Sequence, residues 1–169
     1  MPRKRNIFDP NSAKPYKLSR SRLEVYLKCP RCFYLDRRLG IDRPSGPPFT
    51  INSAVDALMK REFDTYREGG EPHPYMVHAR IPAIPAQHPM LDEWRQNFKG
   101  VQFHHRDTNF IVTGAIDDLW LGDDGRHLVA DYKATAKNGE VSLDAPWQIA
   151  YKRQAEIYQW LLRRNGLEV

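Results

Sequence analysis

Residues 109–133 read NFIVTGAIDDLWLGDDGRHLVADYK, and this stretch decides the fold class. Apolar and β-branched residues dominate both halves, so Asn109–Leu121 and His127–Lys133 are predicted strands. Gly122-Asp123-Asp124-Gly125 between them has the composition of a turn, which makes the pair an antiparallel hairpin. Asp117 falls near the end of the run that starts at Val112, and Asp131-Tyr132-Lys133 closes the returning strand. Residues two apart on a strand point to one face, so Asp131 and Lys133 project together and pairing brings Asp117 alongside. Two carboxylates and an amine then share one small site, directly after the apolar run Leu128-Val129-Ala130. Desolvated carboxylates repel each other unless a cation lies between them. Magnesium suits such a place, because it takes oxygen ligands, needs only one or two carboxylates and keeps water and phosphate oxygens in its shell. A lysine beside it can orient or deprotonate an attacking water. The same three residues would also make an ordinary ion pair at a strand end.

Upstream, residues 1–17 combine Pro2, Pro10 and Pro15 with five Lys or Arg and read as a flexible basic arm. Ser21 and Glu24 have capping-box spacing, and Leu23, Tyr26 and Leu27 give a helix face that Pro30 ends. A second short helix through Phe33, Tyr34 and Leu35 precedes a loop at 44–48. From Ile51 to Arg67 the residues Ile51, Ala54, Val55, Leu58, Met59, Phe63 and Tyr66 recur at helical spacing. Five prolines between 69 and 90 predict loop there, with at most a short strand at Val77–Ile81, and a brief helix is expected over Leu91–Phe98. Val101–His105 is a further predicted strand. Downstream of the hairpin, Trp147, Ala150, Tyr151, Gln154, Tyr158, Leu161, Leu162 and Asn165 mark one face of a last helix that Gly166 stops. Helices, a hairpin and a helix together indicate an α/β or α+β domain.

The chain has 169 residues, enough for one core without a disulfide or structural metal. No run approaches the roughly 18–20 apolar residues of a membrane span, and MPRKRNIFDP lacks the apolar block of a secretory signal. The expectation is a soluble, cytoplasmic protein in a reducing compartment. The net charge of +5 is unevenly spread: residues 1–43 hold twelve Lys or Arg against four acids, and the rest fourteen against seventeen. A basic end on a mildly acidic body suggests a polyanion gripped by one part and a cation held by the other, although a solvated basic face would look the same.

Gly114-Ala115-Ile116-Asp117, Asp131-Tyr132-Lys133 and Gln154-Ala155-Glu156-Ile157-Tyr158, in that order, resemble the motifs of the PD-(D/E)xK nuclease superfamily, and in particular its RecB-like branch. The start is similar too: Leu18-Ser19-Arg20-Ser21, then Tyr26-Leu27-Lys28-Cys29-Pro30 and Phe33-Tyr34, is the entry pattern of RecB-like and CRISPR-associated exonucleases. The resemblance runs over roughly residues 18–165, and the nuclease-like domain is taken as 18–169. It implies a restriction-endonuclease-like core, a mixed sheet flanked by helices. It also implies Asp117, Asp131 and the Tyr132 carbonyl as metal ligands, Lys133 as the catalytic lysine, and Gln154 and Tyr158 on a helix beside the site. Magnesium, with manganese as a substitute, would be the cofactor and DNA, single- or double-stranded, the substrate.

Three positions depart from that pattern. Asp56 stands in the slot that usually holds His or Glu, so it is a candidate metal ligand or an ordinary helix-flank aspartate, with Glu62 as the fallback acid. Relatives use a cysteine at the position of Cys29 for an iron–sulfur cluster with three more near the carboxyl end, which are missing here; Cys29 and Cys32 are then two small core-facing residues rather than cluster or zinc ligands. Relatives usually continue past the last helix into further strands, so the expectation is a minimal version, a fragment, or half of an assembly in which a partner chain or dimer completes the sheet. His104 and His105 alternate faces and receive no role. Three readings follow: a metal-dependent DNA nuclease, a nuclease-fold module that binds nucleic acid without cleaving it, or a metal-free scaffold protein.

Overall fold

Residues 6–44, 46, 50–134, 142–143, 145 and 148–169 are described by the structure, a computed structural model. In chain order the elements are β1 (Tyr16–Ser19), α1 (Arg20–Lys28), α2 (Pro30–Leu39), α3 (Thr50–Gly69), α4 (Pro74–His78), β2 (Ala83–Pro85), α5 (Leu91–Trp94), β3 (Val101–His105), β4 (Phe110–Gly114), β5 (Asp118–Gly122), β6 (His127–Ala130) and α6 (Ile149–Arg164). β4 pairs parallel with β1 and antiparallel with β3, which makes a mixed three-stranded sheet, while β5 pairs antiparallel with β2 and β6. The fold is a mixed α/β one with flanking helices, consistent with a restriction-endonuclease-like core.

The predicted strand Asn109–Leu121 is therefore two strands that belong to different sheets. The break has a local cause: the Ile116 amide donates to the Trp94 carbonyl at 3.2 Å, and Arg95 Nε donates to the Asp117 carbonyl at 3.0 Å. The end of α5 thus takes the backbone groups that a continuous ladder would have used. Ile116, fully buried, turns into the main core with Val101, Leu119, Leu161 and Leu162, all at 0% exposure. Burial of each such side chain contributes about 1.5–3 kcal/mol, and this packs α6 across the break. Gly114 permits the fit, since a Cβ there would collide with the Tyr158 ring.

Other expectations shift as well. β6 ends at Ala130, so Asp131-Tyr132-Lys133 lies just past the strand. Val77–Ile81 is not a strand: Pro74 opens α4, the His73 ring accepts from the Tyr75 amide at 3.1 Å, and Met76 is buried while Val77 is 62% exposed. The helix at Leu91 stops at Trp94 rather than Phe98. No capping box forms on α1; its N-cap is Ser19, and Glu24 turns inward to meet Arg153. α3 runs over the predicted span, but Ile51 and Leu58 are exposed and its buried residues are Phe63 and Arg67. Regular structure begins at Tyr16, so the arm boundary at residue 17 falls inside β1, and the Phe8 ring packs edge-on against Tyr16 and Phe110. Trp147 and most of the loop 44–48 lie outside the described residues.

Candidate active site

In the β5–β6 ladder the last pair is Asp118 opposite Ala130, so the next residues outward, Asp117 and Asp131, emerge side by side at the open end. The Tyr132 amide donates to Asp117 Oδ2 at 3.0 Å, which ties the two chain ends together beyond the ladder. Lys133 Nζ pairs with Asp131 Oδ2, and Gln154 Nε2 donates to Asp131 Oδ1 at 2.8 Å. Gln154 also donates to the Tyr158 hydroxyl at 3.1 Å, so α6 delivers one buried amide whose geometry is fixed from both sides. Both carboxylates keep about a fifth of their side-chain surface open.

The early acid comes from α3. Asp56 Oδ2 pairs with Lys60 Nζ at 2.9 Å, and the same ammonium reaches Asp117 Oδ1 at 3.0 Å. Asp56 Oδ1 is buried and has no hydrogen-bond partner. Glu62, the fallback acid, is corrected: it is 53% exposed and faces His73 Nε2 at 3.1 Å, away from the hairpin end. His104 and His105 are engaged locally with Asn109 and Thr108.

The electrostatics are those of crowded like charges. Burial pushes the Asp131 carboxyl above its ordinary value; pairing with Lys133 pulls it back, and the Asp117 charge pushes it up again, leaving it raised. Lys60 is held the other way. Burial works against its ammonium, but the Asp56 hydrogen bond and the Asp117 charge outweigh this and hold its pKa above the ordinary value.

Behind the site stands a network that sequence reading missed. Asp118, at 0% exposure, accepts from Arg67 Nη2 at 2.5 Å, Arg95 Nη2 at 2.7 Å, the Tyr132 hydroxyl at 2.6 Å and Trp120 Nε1 at 3.2 Å. Arg95 also grips Asp64 with Nη1 and the Asp117 carbonyl with Nε. Burial and the Asp118 carboxylate push the Tyr132 phenol well up, so the ring stays a neutral donor. The alternating pattern of β5 hides Asp118, because a buried charge reads as exposed until its arginines are located. Lys60 did carry a signal, one turn after Asp56 on the same helix face.

A family model, that of the PD-(D/E)XK nuclease superfamily, matches residues 17–169 of the chain, the stretch that holds Asp117, Asp131, Lys133 and Gln154. The chain belongs to this superfamily. No curated protein and no solved structure matches it. Enzymes of the PD-(D/E)XK superfamily are typically nucleases and generally use divalent metal ions. Among the described residues no group of three or more His, Cys, Asp or Glu side chains gathers as a ready metal site, and no helix is long and apolar enough to cross a membrane. The donor set nevertheless fits a hard cation: two adjacent carboxylates whose charges oppose each other, and a buried Asp56 oxygen without a partner.

Proposed function

We propose that this chain is a metal-dependent nuclease of the RecB-like branch that hydrolyses phosphodiester bonds in DNA. The observation that carries the reading is the convergence of Asp117 and Asp131 at one hairpin end, with Lys133 on Asp131 and Asp56 reaching in from α3. Asp117, Asp131 and the Tyr132 carbonyl hold the ion, and Asp56 is the third acid, in place of the usual His or Glu. A bound magnesium or manganese ion would supply a Lewis acid that lowers the pKa of water and offsets charge on the phosphate. Lys133, an ammonium drawn to the site by Asp131, orients the attacking water and neutralises the charge that develops on the phosphate. Gln154 and Tyr158 keep Asp131 turned toward the reacting phosphate.

Part of the basic end has internal work. Arg22 and Arg37 pair with the buried Asp36, and Lys28 pairs with Glu24. Phosphate contacts therefore fall to the remaining cations of the amino-terminal segment. Incubation of the purified protein with linear single- and double-stranded DNA, and with RNA, in magnesium, manganese or chelator tests the assignment. Metal-dependent DNA cleavage that is lost in Lys133→Ala supports it; no cleavage of any substrate in either metal defeats it.

A second reading is favoured by Lys60, whose ammonium already bridges Asp56 and Asp117 as a cation would. In that reading the chain binds nucleic acid without cutting it. Salt-sensitive DNA binding that is unchanged in Lys133→Ala, with no cleavage by either protein, would establish it.

A further inference from the structure

The two cysteines are not core residues: both are half-buried and unoxidised, at the start of α2. Cys29 is the N-cap of this ten-residue helix, and its Sγ accepts from the Cys32 amide at 3.2 Å. Pro30 at the first helical position fixes the entry of the chain and leaves that amide free to point at sulfur. The two Sγ atoms are in direct contact, close enough for a disulfide to form between them. Arg43 Nη2 donates to Cys32 Sγ at 2.8 Å, which places a fixed positive charge on the pair. Zinc would need about four donors, and among the described residues no third His, Cys, Asp or Glu joins these two.

We propose that Cys29-Pro30-Arg31-Cys32 is a thiol–disulfide exchange site whose substrates are small-molecule disulfides, with glutathione disulfide as the representative. The geometry gathers what such chemistry needs: a nucleophilic sulfur at a helix N-terminus, a cation beside it, and a resolving sulfur within reach. Hydrogen bonding to the Cys32 thiol, then to the Cys32 amide, with Arg43 adding to both, holds the Cys29 thiol below its ordinary pKa. In the first step the Cys29 thiolate attacks one sulfur of glutathione disulfide. A protein–glutathione disulfide forms, and one glutathione leaves as thiolate and takes up a proton. In the second step Cys32 loses its proton and its sulfur attacks Cys29 Sγ. The mixed disulfide breaks, the Cys29–Cys32 bond forms and the second glutathione leaves. The two protein thiols are oxidised, one disulfide is reduced to two thiols, and no other oxidant is consumed.

Intact mass spectrometry on the reduced full chain exposed to glutathione disulfide tests this without reference to nuclease activity. The wild type is expected to become two hydrogens lighter with no retained glutathione, and reduced glutathione in excess should reverse the change. Cys32→Ser should stop at one retained glutathione on Cys29, because the resolving sulfur is gone. Wild-type protein that keeps one or two glutathiones at equilibrium, or stays fully reduced in excess glutathione disulfide, would overturn the proposal. Both positions are half-buried at the start of α2, and circular dichroism of Cys32→Ser checks that the helix is kept.

Discussion

Asp117 and Asp118 are consecutive, yet they face opposite environments: Asp117 reaches the open hairpin end beside Lys60, and Asp118 is fully buried among Arg67, Arg95, Tyr132 and Trp120. β5 begins at Asp118, and Asp117 lies in the bend just before it, so the turn of the backbone there makes this split. One carboxylate is left available for chemistry, while the other anchors the strand that carries it. Arg95 joins the two roles, because the guanidinium that binds Asp118 also holds the Asp117 carbonyl.

Asp118→Ala is therefore expected to be severe. Removal of one member of a buried ionic network leaves its partners uncompensated and costs about 3–5 kcal/mol. Asp118→Asn keeps the shape and some acceptors, so it should cost less. Urea midpoints of the two variants check the order, and equal midpoints near the wild type would show that the arginines find other partners.

Glu24 and Arg153 link α1 to α6 through two hydrogen bonds of 3.0 and 2.7 Å. Hydrogen bonding to Arg153 outweighs the cost of burial and holds the Glu24 carboxyl below its ordinary value. A carboxyl whose folded pKa is depressed contributes stability above its unfolded pKa and loses it as pH falls through the folded one. The wild type should thus lose stability below about pH 4.5 more steeply than Glu24→Gln. Melting temperatures of both proteins between neutral and acid pH check this, and parallel curves would remove the pair from the account.

The hairpin, its turn, α3 and α6 were legible because each carries a long periodic pattern, and the three residues Asp117, Asp131 and Lys133 were legible because their spacing is fixed by that hairpin. The break at Ala115–Asp117 was not. Its cause is a pair of hydrogen bonds from residues twenty or more positions away in sequence, Trp94 and Arg95, and no local pattern announces them. The capping box failed for a related reason: Glu24 had a stronger partner in Arg153, 129 residues on. Cys29 and Cys32 were misplaced because small apolar side chains read as core, whereas Cys29 caps α2 and both stay half-buried at its start.

Gly114→Ala is expected to act at two levels. Its Cβ would collide with the Tyr158 ring, and overpacking of this kind costs about 1–3 kcal/mol. Displacement of Tyr158 would also release Gln154, which orients Asp131. Cleavage should therefore fall more than stability explains. If kcat tracks only the folded fraction, the Tyr158–Gln154–Asp131 chain has no part in the chemistry.

Lys60 gives the sharpest division between its possible roles. Its ammonium sits between Asp56 and Asp117 at 2.9 and 3.0 Å, and both carboxylates draw it there strongly enough to overcome burial. A divalent ion entering the site must share those oxygens with it, so Lys60 competes with the metal. Lys60→Met keeps the length of the stem and removes the charge. Without the ammonium the two acids repel unopposed, so the metal-free variant should melt lower than the wild type, and manganese should raise its melting temperature by more. Tighter binding by about tenfold corresponds to about 1.4 kcal/mol of relieved competition. Lys133 is the control: it pairs with Asp131, lies over the Tyr151 ring and is 43% exposed, so Lys133→Met should move manganese affinity less while abolishing cleavage. Calorimetric titration with manganese separates the cases. If Lys60→Met binds manganese more weakly than the wild type, the ammonium supports the metal site instead of competing with it.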